Sequence, residues 1–186
     1  LRKGETMVVT TAAGLVGSIA AQLGKLAGAR VVGVTGRDYK VRYLLDELRL
    51  DQAIDYRAES DLGAAIRKAC PGGVDYFFDN TGGSIADTVL AQLSPGGRHT
   101  NCGQISSYDT MNWGQSRRFS GQFSIHNFVL EYAGAQRELA ALLRNGKLSY
   151  RATIFEGLSA APGALIRLLA GENIGKYLVR VGPDPE

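Results

Sequence analysis

With 186 residues, 45% of them hydrophobic and 21% charged, the chain has the composition of one soluble globular domain, or of one domain plus a fragment of another. Its 21 basic and 18 acidic side chains leave a formal charge of +3, too slight and too evenly spread to point to nucleic acid or a membrane surface as partner. Cys70 and Cys102, with His99 and His126, stand too far apart to read as a disulfide framework or a zinc site. No apolar run reaches the ~18 to 20 residues a spanning helix needs, and the start does not read as a signal peptide, so a reducing cytoplasm is the expected compartment. Leu1-Arg2-Lys3-Gly4-Glu5 leads directly into a strand-like run with no initiator Met, as expected of a piece of a longer protein.

The first predicted strand, residues 6–11, ends in the small-residue turn Ala12-Ala13-Gly14-Leu15-Val16-Gly17, and a helical pattern with Ile19, Leu23 and Leu26 on one face follows at once. Ala12, Gly14 and Gly17 are spaced like a dinucleotide-binding fingerprint. Small residues are needed there because the backbone must turn sharply, approach a pyrophosphate and pack helix on strand. The first-turn amides and the helix dipole would then hold the phosphates. The alternative at this point is a plain packing turn, because the first glycine of the pattern is replaced by Ala12.

The second strand, residues 30–35, closes on Val34-Thr35-Gly36-Arg37. A fold that selects NAD places Asp or Glu about 20 residues after the glycine turn, to accept from the ribose 2′-OH. Thr35 and Gly36 cannot do this. Arg37 and Lys40 follow instead and would attract a 2′-phosphate, with Asp38 as the one contrary sign. The reading is therefore NADP(H), against the alternative that both cations merely solvate the start of a helix.

Further strands are expected at 53–56, 74–79 and 97–102, separated by helical patterns on Tyr43/Leu44/Leu48, Leu62/Ile66/Ala69 and Ile85/Val89/Leu93, with turns at Gly28, Pro71-Gly72-Gly73 and Pro95-Gly96-Gly97. Short strands apolar on both faces, alternating with helices, predict a doubly wound parallel sheet of Rossmann type. Asn80, just past the fourth strand, is placed either to meet the nicotinamide side of a cofactor or to cap a helix. Residues 106–122 form a polar loop with Trp113 and Arg117-Arg118. A sixth strand at 125–130 and a helix at 134–145 complete a six-stranded α/β domain over residues 1–146. The remainder, 147–186, reads as strand (150–155), helix (161–169) and strand (176–181).

Five segments coincide with one family: Ala12-Ala13-Gly14-Leu15-Val16-Gly17-Ser18, Gly36-Arg37-Asp38-Tyr39-Lys40, Asp79-Asn80-Thr81-Gly82-Gly83, Cys102-Gly103-Gln104-Ile105-Ser106-Ser107-Tyr108 and Gly171-Glu172-Asn173-Ile174-Gly175-Lys176. In this order and spacing the chain resembles the zinc-independent medium-chain dehydrogenases/reductases, in particular the NADPH-dependent alkenal, prostaglandin and curcumin double-bond reductases. The resemblance implies hydride transfer from NADPH to the β-carbon of an α,β-unsaturated ketone or aldehyde. It implies further that Gly14, Leu15, Val16 and Gly17 hold the pyrophosphate, that Arg37, Lys40 and Tyr56 face the 2′-phosphate end, and that Asn80 contacts the nicotinamide side. Cys102, Gly103, Ile105, Ser106 and Tyr108 would line the nicotinamide, with Phe128, Val129 and Leu130 beside it and Asn173 closing the far end. In that family an N-terminal GroES-like half forms the other wall of the cleft, and residues 147–186 would complete it. With that half absent, the segment's apolar positions Ile154, Phe155, Leu165 and Leu178 are expected to lack cover and the segment to pack on another copy or be poorly ordered, and a homodimer is the expected assembly. A Tyr found before the sixth strand in some members has no counterpart in Arg118-Phe119-Ser120-Gly121-Gln122, so no catalytic acid is named. A quinone oxidoreductase or a non-catalytic NADPH sensor remains the alternative. A short-chain dehydrogenase is disfavoured because no Tyr-x-x-x-Lys occurs.

Overall fold

Strands that are apolar on both sides require cover on both sides, and the main sheet receives it. The computed structural model describes residues 1–107 and 125–183. Strands β1 (Thr6–Thr10), β2 (Arg30–Thr35), β3 (Gln52–Asp55), β4 (Val74–Asp79) and β5 (Leu93–Asn101) form one parallel sheet in the order β3-β2-β1-β4-β5. The crossovers carry helices α1 (Leu15–Leu26), α2 (Asp38–Arg42, continued by a π-helical turn over Tyr43–Glu47), α3 (Leu62–Ala69) and α4 (Gly83–Leu90). Every residue of β1 is buried. Met7 and Val9 join Ala21, Val31 and Leu44 in a core on the α1–α2 side, while Val8 joins Val32, Ile66, Phe77 and Val89 on the α3–α4 side. Each of these side chains larger than alanine contributes about 1.5–3 kcal/mol on burial, and the alternation along β1 fixes which face belongs to which helix layer.

Strand order reverses between β1 and β4, so the connections leaving their carboxyl ends diverge and open a crevice at that edge. This is where the candidate site lies.

The sheet has five strands rather than the predicted six. The segment expected as a sixth strand is a 3-10 turn, Ile125–Glu131, kinked at Phe128 (φ −118°, ψ 24°). Among the described residues β5 pairs with β4 alone. Strand propensity is expressed only against a partner, and without a ladder the short run Ile125-His126-Asn127-Phe128 satisfies its backbone locally. At its other end β5 starts earlier than expected, at Leu93. Pro95-Gly96-Gly97 is therefore a register irregularity within the strand, between the pairings Val74–Leu93 and Tyr76–Arg98, rather than a turn ahead of it. The loop expected to carry Trp113 and Arg117-Arg118 lies outside the described residues.

Helix α5 (Tyr132–Arg144) leads to the last segment. That segment returns to the main body at Leu148, which is 3% exposed, and at Ser149, whose N–H donates to Gln22 Oε1 while Gln22 Nε2 donates to the Ser149 carbonyl, both at 2.9 Å. Beyond it, β6 (Ala152–Glu156), α6 (Ala161–Leu169) and β7 (Lys176–Arg180) build a separate two-stranded parallel sheet. No helix among the described residues is long and apolar enough to cross a membrane.

Candidate nucleotide-binding site

At the end of β1 the chain turns through Thr11, one of two non-glycine residues with positive φ (50°) among those described, and reaches Gly14 at the N-cap of α1. The turn is closed by Gly14 N–H donating to the Thr11 carbonyl at 3.0 Å and Ser18 N–H to the Gly14 carbonyl at 2.9 Å. Gly17 is dictated by packing: a Cβ there would collide with the Thr11 carbonyl oxygen and sit 2.9 Å from Ala12 Cα, both of them backbone atoms. The first-turn amides of α1 have no intrahelical acceptor, no side chain caps them, and no acid stands in that turn. The positive end of a twelve-residue helix thus faces a cavity of ≈ 270 Å³ lined by Gly14 to Gly17, Asn80 and Asn173.

The last segment supplies the opposite wall. Gly175 bridges to Gly14, its N–H donating to the Ala13 carbonyl at 2.8 Å, and the buried Asn173 donates from Nδ2 to the Gly175 carbonyl at 3.0 Å. Tyr39 reaches the same segment by donating its hydroxyl to the Glu172 carbonyl at 2.8 Å.

The centre of the site is held by Asp79, which is fully buried at the end of β4. It accepts from Thr10 Oγ1 (2.8 Å), from the N–H groups of Thr81 and Gly82 (2.9 and 3.0 Å) and from Asn101 Nδ2 (3.2 Å), and His99 lies 3.8 Å away. Burial pushes its carboxyl up, but the nearby His99 and the bonds from the two amides and Thr10 together outweigh burial and hold it below the ordinary carboxylate value. Asp79 is consequently a tie between β1, β4, β5 and the start of α4 rather than a free acid. Asn80 follows from it: its N–H donates to Thr10 Oγ1 at 2.9 Å and its Nδ2 to the Thr10 carbonyl at 2.8 Å. The helix behind it is capped at Gly82 rather than at Asn80, so the helix-cap alternative does not hold.

The other end of the crevice is cationic. A second cavity of ≈ 230 Å³, sharing Thr11, Ile105, Leu168 and Asn173 with the first, extends to Gly36, Lys40, Tyr56 and Arg57, and no acidic side chain lines it. Lys40 is 6% exposed, and no hydrogen bond or ion pair to its Nζ is found among the described residues. Burial, then the charges of Arg37 and Arg57, depress its pKa to about 8. Asp38, the contrary sign in the sequence, is paired with Arg42 at 3.0 Å.

The structure therefore brings together Gly14, Leu15, Val16, Gly17, Lys40, Tyr56, Asn80, Ile105, Ser106 and Asn173 along one crevice. Arg37 stands beside Lys40 as one of the charges acting on it. Cys102 and Gly103 lie just outside the two cavities, their N–H groups donating to the Asp79 carbonyl at 2.7 and 3.2 Å. Phe128, Val129 and Leu130 are exposed on the 3-10 turn and line neither cavity. Tyr108 lies outside the described residues. The sequence reading missed Arg57, whose signal was its position directly after Tyr56 at the end of β3, and Leu168 and Leu169, which only the return of α6 brings to the crevice. Among the described residues no three His, Cys, Asp or Glu side chains converge on a metal position.

A family model described as zinc-binding dehydrogenase matches residues 16–145. The chain is 36% identical over 198 residues to the NADPH-dependent curcumin reductase of Escherichia coli (strain K12), covering 98% of this chain and 57% of that protein. It is 35% identical over 196 residues to the NADP(+)-dependent 2-alkenal reductase of Nicotiana tabacum, covering 98% and 56%. Among solved structures, CurA from Vibrio vulnificus in complex with NADPH superposes with a TM-score of 0.90 at 33% identity, over 99% of this chain and 59% of that one. The chain spans a little over half the length of these relatives.

Proposed function

The chain belongs to the zinc-binding dehydrogenase family, within the medium-chain dehydrogenases/reductases, and from that membership we propose that it is the cofactor-binding part of an NADPH-dependent reductase of the carbon–carbon double bond in α,β-unsaturated ketones and aldehydes. The observation that carries the cofactor is Lys40: a buried cation crowded by two arginines, in a cavity without an acid, stabilised only when an anion arrives. The double-bond chemistry is supported by the names of the relatives, a curcumin reductase and a 2-alkenal reductase.

On this reading the first-turn amides at Leu15, Val16 and Gly17 receive the pyrophosphate, and Arg37, Lys40 and Tyr56 receive the 2′-phosphate. Asn80, held rigidly by Thr10, presents its remaining amide polarity to the nicotinamide end. Ile105 and Ser106 flank that end, where Ser106 is itself fixed by donating Oγ to the Thr81 carbonyl at 2.6 Å. Asn173, buried in both cavities, closes the crevice from the opposite side. When bound, the reduced nicotinamide supplies a hydride to the β-carbon of the enone, and the enolate so formed takes up a proton. The chain's contribution is to orient that ring and exclude water from one face.

The proposed reaction is a zinc-independent one. Residues 147–183 present Leu158, Leu165, Ile166 and Leu178 to solvent, 43–72% exposed. They are read as the part of the chain on which the relatives' additional length would pack, forming the other wall of the substrate pocket. The test is a stopped assay of the full-length protein with NADPH and a series of alkenals, enones and quinones. Turnover of enones with saturation of the double bond is expected, and carbonyl reduction or turnover of quinones alone would overturn the substrate class.

A further inference from the structure

We infer that Arg57 is a specificity-determining residue, the side chain that together with Lys40 clasps a 2′-phosphorylated adenosine, and that Tyr56 holds it in place for that task. The inference deepens the NADPH reading above and rests on it.

Tyr56 is fixed at the corner of β2 and β3 by its N–H, which donates to the Thr35 carbonyl at 2.9 Å. Its ring lies directly over Gly36. A Cβ at that position would sit 2.7 Å from Cε1 and 2.9 Å from Cζ of the ring. No side chain can therefore stand at position 36 while the ring keeps its place, and an acid there, the partner of an unphosphorylated ribose, is sterically barred as well as absent.

The hydroxyl of Tyr56 accepts from Arg57 Nε at 3.2 Å, and the guanidinium carbon stands 5.7 Å from the ring centroid. One of the five guanidinium N–H groups is thus committed to positioning, and the terminal nitrogens keep four for a ligand. Among the described residues no carboxylate pairs with this guanidinium. Asp55, the nearest acid in sequence, accepts from the backbone N–H of Arg57 at 3.0 Å. Arg57 and Lys40 line the same cavity, and the charge of Arg57 is felt at Lys40. Two like charges facing one acid-free cavity repel each other until a dianion bridges them. Gly36, Tyr56 and Arg57 act as one unit, in which the glycine admits the ring, the ring orients the guanidinium and the guanidinium meets the phosphate.

The test measures binding of 2′,5′-ADP and 5′-AMP, with NADPH and NADH alongside, to the full chain and to three variants. The unsubstituted chain should prefer 2′,5′-ADP; equal affinity for the two mononucleotides would sink the NADPH reading itself, and this inference with it. Given that preference, Arg57→Gln should weaken 2′,5′-ADP and NADPH about tenfold and leave 5′-AMP and NADH within about twofold. Arg57→Lys should recover part of the loss. Tyr56→Phe should cost several-fold alone and distinctly less in the Arg57→Gln background, because part of its effect runs through the guanidinium and part through its own contact with the phosphate. Unchanged 2′,5′-ADP binding in Arg57→Gln, or parallel losses for both mononucleotides, would overturn the assignment while leaving the NADPH reading intact. Arg57 is exposed, and unchanged thermal melting of the unliganded variants separates a lost ligand contact from a folding defect.

Discussion

Lys40 illustrates how a residue can be unfavourable for the fold and useful to the site. Its ammonium is buried beside two arginines, and its pKa falls from the ordinary lysine range to about 8. Because the unfolded chain keeps the higher value, it binds more protons than the folded chain between pH 8 and the ordinary lysine value of about 10.4, so stability of the unliganded protein rises with pH across that window. The full penalty is present below pH 8. Lys40→Met should therefore raise the melting temperature of the unliganded chain near pH 7, by about 1 kcal/mol of stability, while weakening NADPH about tenfold and leaving NADH unchanged. A lysine placed there for structure alone would lower the melting temperature instead. A 2′-phosphate reverses the balance by favouring the ammonium form. Affinity for NADPH is then level up to about pH 8 and falls by up to tenfold per unit above it, which a fluorescence titration between pH 7 and 9.5 reads directly. NADH should show no such slope, and neither nucleotide should show it in Lys40→Met.

Among the elements, β1, β4 and β5 and the helices that leave them carry the crevice, and Asp79 joins them. Asp79→Asn keeps the shape but offers an N–H₂ where acceptors are required, and should cost about 2–4 kcal/mol in urea unfolding. Because the folded carboxyl is held below its ordinary value, its contribution is fully present above the unfolded value of about 3.9 and disappears as pH falls through the lower folded one. A shallower fall of stability below pH 4 in the Asn variant than in the parent would be the signature, since Asp51 and Glu5, also held below their ordinary values, titrate in both. Glycine positions separate in the same way. Gly17→Ala forces a methyl into the backbone of Thr11 and Ala12 and should cost about 1–3 kcal/mol, whereas Gly134→Ala in α5, with open space around it, should gain about 0.5–1 kcal/mol. The parallel strands and the α1 turn were legible because both depend on local rules, a buried apolar run and a small residue where backbone meets backbone. The sixth strand was not legible, because Ile125-His126-Asn127-Phe128 has acceptable strand composition and only the absence of a paired neighbour makes it a 3-10 turn. Likewise Lys40 could be read from the end of β2, whereas the contact of Leu168 and Leu169 with the same crevice depends on a chain return more than a hundred residues later.

The whole molecule consists of a well-covered sheet and a sparsely covered appendage joined at the crevice. A two-stranded sheet is marginal by itself, and β6 and β7 are covered chiefly by α6, with Ile154, Leu165, Ile166 and Leu178 left 43–68% exposed. What fastens the appendage is short: Gly175 to Ala13, Tyr39 to the Glu172 carbonyl, Gln22 with Ser149, and Arg151, which pairs with Glu47 at 2.7 Å and stands over the Tyr43 ring. The first of these lies at the nucleotide crevice, whose wall Asn173 and Gly175 help to form, so occupancy of the crevice and docking of the appendage should favour one another. Amides of β7 in the unliganded chain should exchange with solvent much faster than those of β1. At NADPH concentrations about 100 times its Kd, binding contributes about 2.7 kcal/mol to any state that must be docked in order to bind. Exchange of β7 amides should then slow by up to about a hundredfold, together with those at the start of α1, while α5, which has no buried residue, should not respond. Protection confined to α1 and the end of β2, with β7 unchanged, would mean that Asn173 and Gly175 are bystanders and that the nucleotide is held by the main sheet alone.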